Sequence, residues 1–172
     1  MAHVSASELD QPPSVDTDAD IAESVVDEVL TATRALIALS TRSLGSLADD
    51  LSAAQYRALV VLASRGPQRM VDLAHLLGVE PSSLGRMCER LVRKGFVRRR
   101  RARADRRIVM VSLSGQGRRV LDAATAARRT AIRQALAVLT ADQQRAAAVA
   151  LRALSRAAGE IPDEQWPAQN DG

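Results

Sequence analysis

LGVEPSSLGRMCERLVRKGFVRRRRARADRRIVMVSLS, residues 77–114, is the stretch whose reading decides the fold. At about 100° per residue, Leu84, Met87, Cys88 and Leu91 gather on one side of a helix, while Ser82, Arg86, Glu89 and Arg93 fall within roughly 60° of each other on the opposite side. One face packs and the other is free to meet a ligand. Pro81 suits the first turn of that helix, and Gly95 is a natural left-handed stop. After it, Phe96-Val97 opens an extended segment, and Ile108-Val109-Met110-Val111-Ser112-Leu113 is a β-branched run of the strand-forming kind. Residues Arg101 to Arg107 are long enough for the tip of a hairpin between them.

Charge gives this segment a role. From Arg86 to Arg107 there are eleven basic residues against Glu89 and Asp105, a local net charge of +9 in a chain whose total is +4. Such runs are often solvated faces or loose tails, but turn and strand signals interrupt this one and agree with a folded basic hairpin. A concentrated positive field beside a helix with a polar face is the footprint expected of phosphate-backbone binding. Arg86, Arg90, Arg93, Arg99, Arg100, Arg101, Arg103, Arg106 and Arg107 form the basic set expected on DNA.

Outward from this segment, Val71 to Leu77 forms a short helix whose start has no capping residue, and Gly78 permits a tight turn into the next. Two helices joined in this way make a helix-turn-helix, and the hairpin makes it winged. Ser52-Ala53-Ala54-Gln55 is a capping box with Leu51 and Tyr56 at the staple positions; it begins a helix that Gly66-Pro67 ends. A long helix fits Ile21 to about Leu47, its apolar residues too widely distributed for a single buried stripe, so that two partners are expected, its own domain and a second subunit. Ser114 caps a helix from Gln116 to about Leu139, although the capping-box partner position holds Gly117. Thr140-Ala141-Asp142-Gln143 is a second capping box, starting a helix to Ala158. The expected organisation is a disordered acidic tail over 1–19, a helical dimerisation region over 20–50 and 115–159, a winged helix-turn-helix domain over 51–114, and a loose tail over 160–172.

Composition excludes several classes. Tyr56, Phe96 and Trp166 are the only aromatics. Single-stranded nucleic acid usually needs aromatic stacking platforms, so duplex DNA is the expected partner. One cysteine rules out an internal disulfide, and no Cys/His cluster has metal-site spacing. Neither a signal segment nor an apolar stretch of membrane-spanning length is present, which points to a cytoplasmic protein. The residues carry no phosphate loop, nucleophile elbow or catalytic carboxylate pair, so no enzyme and no cofactor is expected.

Three stretches, LSAAQYRALVVL (51–62), DLAHLLGVEPSSLGRMCERLVRKGFVRR (72–99) and ADRRIVMVSLSGQG (104–117), together resemble the MarR family of bacterial winged helix-turn-helix transcription regulators. The resemblance covers about residues 21–158. It implies a mainly α, α+β fold in which the first helix and the last two interleave across a twofold axis to make a homodimer. It places Ser82, Ser83 and Arg86 at the start of the recognition helix in the major groove. Asp105 and Arg107 match the family's Asp-x-Arg wing, whose arginine reaches the minor groove while the aspartate holds it. The implied function is a repressor acting on a pseudo-palindromic operator and released by a small-molecule effector bound between the dimerisation helices and the winged domain. The alternative is an architectural protein that binds duplex by charge alone. Gly85 departs from the family, where a hydroxyl or longer polar side chain is frequent.

Some residues admit two readings. Cys88 lies in the apolar stripe, which favours a structural thiol over a redox sensor. Glu89 could accept a hydrogen bond from cytosine, but an i,i+4 pair with Arg93 is the favoured reading. Tyr56 is expected in the core rather than in a ligand pocket, and His75 on a half-buried surface.

Overall fold

The computed structural model describes residues 18–43, 51–102 and 105–167. Its contacts divide the chain into two units, one ending at Ala38 and the other beginning at Leu39. Helix α1 (Asp18–Ser43) makes up the described part of the first unit and runs into the second. It exposes Val25, Val26, Val29, Leu30, Leu36 and Ile37. The helix begins three residues before the expected Ile21. The rest of the expected acidic tail, and the expected end near Leu47, lie outside the described residues.

The second unit continues with α2 (Ala53–Arg65), β1 (Gln68–Arg69), α3 (Met70–Leu77), α4 (Pro81–Arg93), β2 (Val97–Arg101), β3 (Val109–Leu113), α5 (Gly115–Leu136), α6 (Ala141–Ala157) and a 3-10 turn (Asp163–Gln165). Local chemistry starts the helices. At α2 the Ser52 hydroxyl accepts the Gln55 N–H at 3.3 Å, and the Gln55 side chain accepts the Ser52 N–H at 3.0 Å. The same reciprocal box starts α6, with Thr140 and Gln143. No side chain caps α3; Arg69, just before it, instead pairs with Asp72 in the first turn at 2.6 Å.

Two glycines make the turns around α4. Gly78 adopts φ 62° and ψ 36° between α3 and α4, and Gly95 adopts φ 73° after α4, a region that side chains with a Cβ avoid. The chain then enters a three-stranded antiparallel sheet of order β1-β3-β2. Register runs from Val97 opposite Leu113 to Arg101 opposite Val109. Strand β1 was not legible in the sequence: it is two residues long and exists because Gln68 and Arg69 pair with Val111 and Met110.

Leu59 and Leu62 of α2, Leu73 of α3, Leu84, Cys88 and Leu91 of α4, Val111 of β3 and Leu121 of α5 meet in one buried core. Burial of each aliphatic side chain there is worth roughly 1.5–3 kcal/mol, and it fixes α4 with its polar face outward. By contrast, α6 has no buried residue. Among the described residues no helix is long and apolar enough to cross a membrane.

The expected loose tail from 160 onward needs correction over its first part. Trp166 is half-buried, packs against the core and donates its indole N–H to the Ile161 carbonyl at 2.9 Å. Glu160 pairs with Arg57, and Asp163 lies 3.8 Å from Arg129. The segment looks loose in sequence because its ion-pair partners, Arg57 and Arg129, are more than thirty residues away.

Candidate nucleic-acid interface

The register of α4 presents Ser82, Arg86, Glu89, Arg90 and Arg93 to solvent, with Ser83 half-buried beside them. Arg86 reaches back to the Ser83 hydroxyl at 3.4 Å, a long contact that leaves its guanidinium free to reorient. The expected Glu89–Arg93 pair is absent. Neither residue has an ion-pair partner among the described residues, so both point outward as separate charges. Beneath this face Cys88 is fully buried, and burial pushes its thiol above the ordinary range, opposed by the charge of Arg99. That is the setting of an inert structural thiol.

The wing follows from β2 and β3. Arg98, Arg99, Arg100 and Arg101 are all exposed along β2. Strand alternation sets Arg99 and Arg101 on the side of buried Val97, with Arg98 and Arg100 opposite. At the tip, the Asp105 carboxylate accepts the Arg107 backbone N–H at 2.8 Å, and the Asp105 carbonyl accepts the Ile108 N–H at 3.0 Å. Asp105 therefore holds the main chain of the turn, and the Arg107 side chain extends from it. Arg106 is exposed beside them, while Arg103 lies outside the described residues. Arg86, Arg90, Arg93, Arg99, Arg101, Arg106 and Arg107 make no ion pair with the described residues, so their charge is available to an external polyanion.

Two arginines outside the expected set extend this basic surface. Arg98 and Arg119 line a groove together with Gly95 and Gln116, between β2 and the first turns of α5. Arg98 belongs to the visible charge run. Arg119 sits on a different helix, and only the fold brings it near.

A separate cavity of about 630 Å³ lies between α2, α5, α6 and the segment after α6. Tyr56 borders it, packed against the core on one side and hydrogen-bonded through its hydroxyl to Thr125 at 3.3 Å. The Arg128 guanidinium stacks 3.6 Å from the centre of its ring. Tyr56 is thus both core and pocket wall, where the sequence favoured core alone. His75 on α3 is exposed, not half-buried.

Comparison with known proteins agrees with this geometry. The MarR family model matches residues 51–109, the segment that holds the helix-turn-helix and most of the wing. The chain is 27% identical over 123 residues to the HTH-type transcriptional regulator YfiV of Bacillus subtilis (strain 168), covering 69% of this chain and 77% of that protein. It is similar to the crystal structure of RV1404 from Mycobacterium tuberculosis, with a TM-score of 0.75 and 33% identity over 86% of this chain and 99% of the other. Apo MarR from E. coli superposes with a TM-score of 0.67 at 26% identity, over 74% of this chain and 93% of the other.

Proposed function

Because this chain belongs to the MarR family of DNA-binding transcription regulators, we propose that it acts as a homodimeric repressor that recognises a pseudo-palindromic operator and releases it on binding a small molecule. One observation carries the DNA reading: an exposed polar helix face and an arginine-rich hairpin share a segment of charge +9 in a chain of +4. In this reading Ser82, Ser83 and Arg86 meet base edges in the major groove, where arginine can bind guanine through two hydrogen bonds. Arg107 enters the minor groove, whose narrow A·T-rich stretches attract guanidinium. Arg90, Arg93, Arg99, Arg100, Arg101, Arg103 and Arg106 neutralise phosphates, and Asp105 keeps the wing tip folded.

The dimer reading is supported by apolar surface left without cover. Val149 and Leu154 of α6 are 62% and 49% exposed. A patch of this kind calls for a partner, and a second copy of the chain supplies one with the symmetry that a palindrome requires. The effector reading rests on the cavity beside Tyr56.

The decisive experiment is titration of the full-length protein, across a salt series, against duplex from its own promoter region and against a scrambled duplex. A regulator prefers its site by ~10³ or more. Equal affinity for both duplexes would instead establish the charge-only architectural alternative.

A further inference from the structure

The segment that follows α6 crosses one side of the cavity between α2, α5 and α6. Ile161, Pro162 and Trp166 supply part of the wall, and Val60 and Leu151 line the cavity with them. The segment is held by side-chain contacts from three arginines of the winged domain and α5. Arg65 donates to the Gly159 carbonyl at 3.0 Å. Arg57 binds the Glu160 carboxylate with both terminal nitrogens, one of them at 2.8 Å. Arg129 faces Asp163. A fourth arginine, Arg118, lies 5.7 Å from the centre of the Trp166 ring.

These ties are of a particular kind. The Arg57 and Glu160 side chains are 45% and 42% exposed, so their attraction is screened by solvent and weak. The hydrogen bond from Arg57 holds the Glu160 carboxyl below the usual carboxylate range, so it is an anion at neutral pH. Arg57 and Glu160 both line the cavity beside its apolar residues, and a wall fastened by screened ion pairs is one that opens at small cost. What Arg57 now holds is a carboxylate belonging to the chain itself.

We propose that residues 160–166 form a lid over this cavity, latched by Glu160 on Arg57, and that an organic anion entering the cavity displaces Glu160 from Arg57 and frees the lid. The apolar wall of Val60, Leu151, Ile161 and Trp166 takes the body of the ligand, and the Tyr56–Thr125 hydroxyl pair offers it a polar edge. Glu160 is then an internal competitor that sets how tightly any such anion binds. The proposal deepens the effector reading above and rests on the cavity being the effector site.

Trp166 is the only tryptophan, so its emission reports the lid directly. The test uses the full-length protein, acrylamide quenching of Trp166, and anilinonaphthalenesulfonate as the anionic probe, counting only probe that accepts energy from Trp166. Glu160→Gln should raise the quenching constant and tighten probe binding, each roughly 2- to 5-fold, the range that loss of an exposed ion pair allows. Saturating probe should raise quenching in the unaltered protein as well. The exchange of both partners, Arg57→Glu with Glu160→Arg, should restore the low quenching, which a fold defect would not do. A Trp166 as protected in Glu160→Gln as in the parent, or one exposed with no change in probe affinity, overturns the lid. Affinity for duplex DNA, measured on the same samples, reports separately on the regulator reading.

Discussion

A Cβ at position 117 would lie 2.0 Å from the carbonyl oxygen of Phe96 and 2.9 Å from a Leu113 methyl. The first turn of α5 therefore rests directly on the backbone that leaves α4. Ser114 completes the joint, accepting the Gly117 N–H at 2.9 Å and donating to the Gly95 carbonyl at 2.5 Å. Position 117 cannot hold the glutamate or glutamine of a capping box, because that side chain has no space. Gly117→Ala should destabilise the protein by roughly 1–3 kcal/mol, the usual cost of overpacking. Gly85→Ala is the matched control: nothing lies within 4 Å of its added methyl group, and relief of glycine in a helix interior should stabilise by up to ~1 kcal/mol. Urea melts of the two variants should move in opposite directions.

Arg86, Arg101 and Arg107 should fail differently when truncated to alanine. Loss of Arg86 should cost about 1–3 kcal/mol on the operator and relax specificity at one position of each half-site. Loss of Arg101 should weaken operator and random duplex alike and reduce the salt slope by about one per subunit. Loss of Arg107 should be felt most where the minor groove under the wing is A·T-rich. Binding of all three variants to both duplexes across a salt series separates the roles, and identical losses throughout would remove base reading by Arg86.

The operator should have half-site centres about 10 bp apart, since two recognition helices related by a twofold axis enter successive major grooves on one face of the duplex. Insertion of about 5 bp turns one half-site to the opposite face and should reduce binding to that of a single half-site. Leu154→Glu, on the exposed face of α6, should yield monomers by sedimentation and the same weak binding.

Cys88 should resist alkylation in the folded protein. Its side chain is fully buried and its thiol is pushed up by that burial, so reaction with a maleimide should wait for unfolding and accelerate in urea. Prompt labelling under native conditions would restore the redox-sensor reading.

The Glu160 latch gives a pH dependence of known sign. Its folded carboxyl titrates below the ordinary 4.5, with the hydrogen bond to Arg57 as the main cause. The stabilisation is therefore present above the ordinary value and is lost as pH falls through the lowered one. Trp166 quenching should rise over that acidic interval in the parent protein, while Glu160→Gln should be open at neutral pH and show no such step.

The order of helices and hairpin was legible because its signals act within a few residues. The Ser52–Gln55 and Thr140–Gln143 boxes close over three residues, Gly78 and Gly95 relax their own backbone, and the phase of Leu84, Met87, Cys88 and Leu91 selects the buried face of α4 without any distant partner. The outward face with Arg86 and the basic wing follow from the same pattern. Where the partner is distant, the sequence carried no sign of it. Glu89 did not join Arg93, although the spacing allowed it, because an exposed pair gains too little to hold two long side chains together. Strand β1 needs Val111 and Met110, and Gly117 needs the Phe96 carbonyl. The lid needs Arg57, 103 positions before Glu160. Those contacts exist only once the core has brought distant segments together, and a polar tail read alone has no periodicity to announce them.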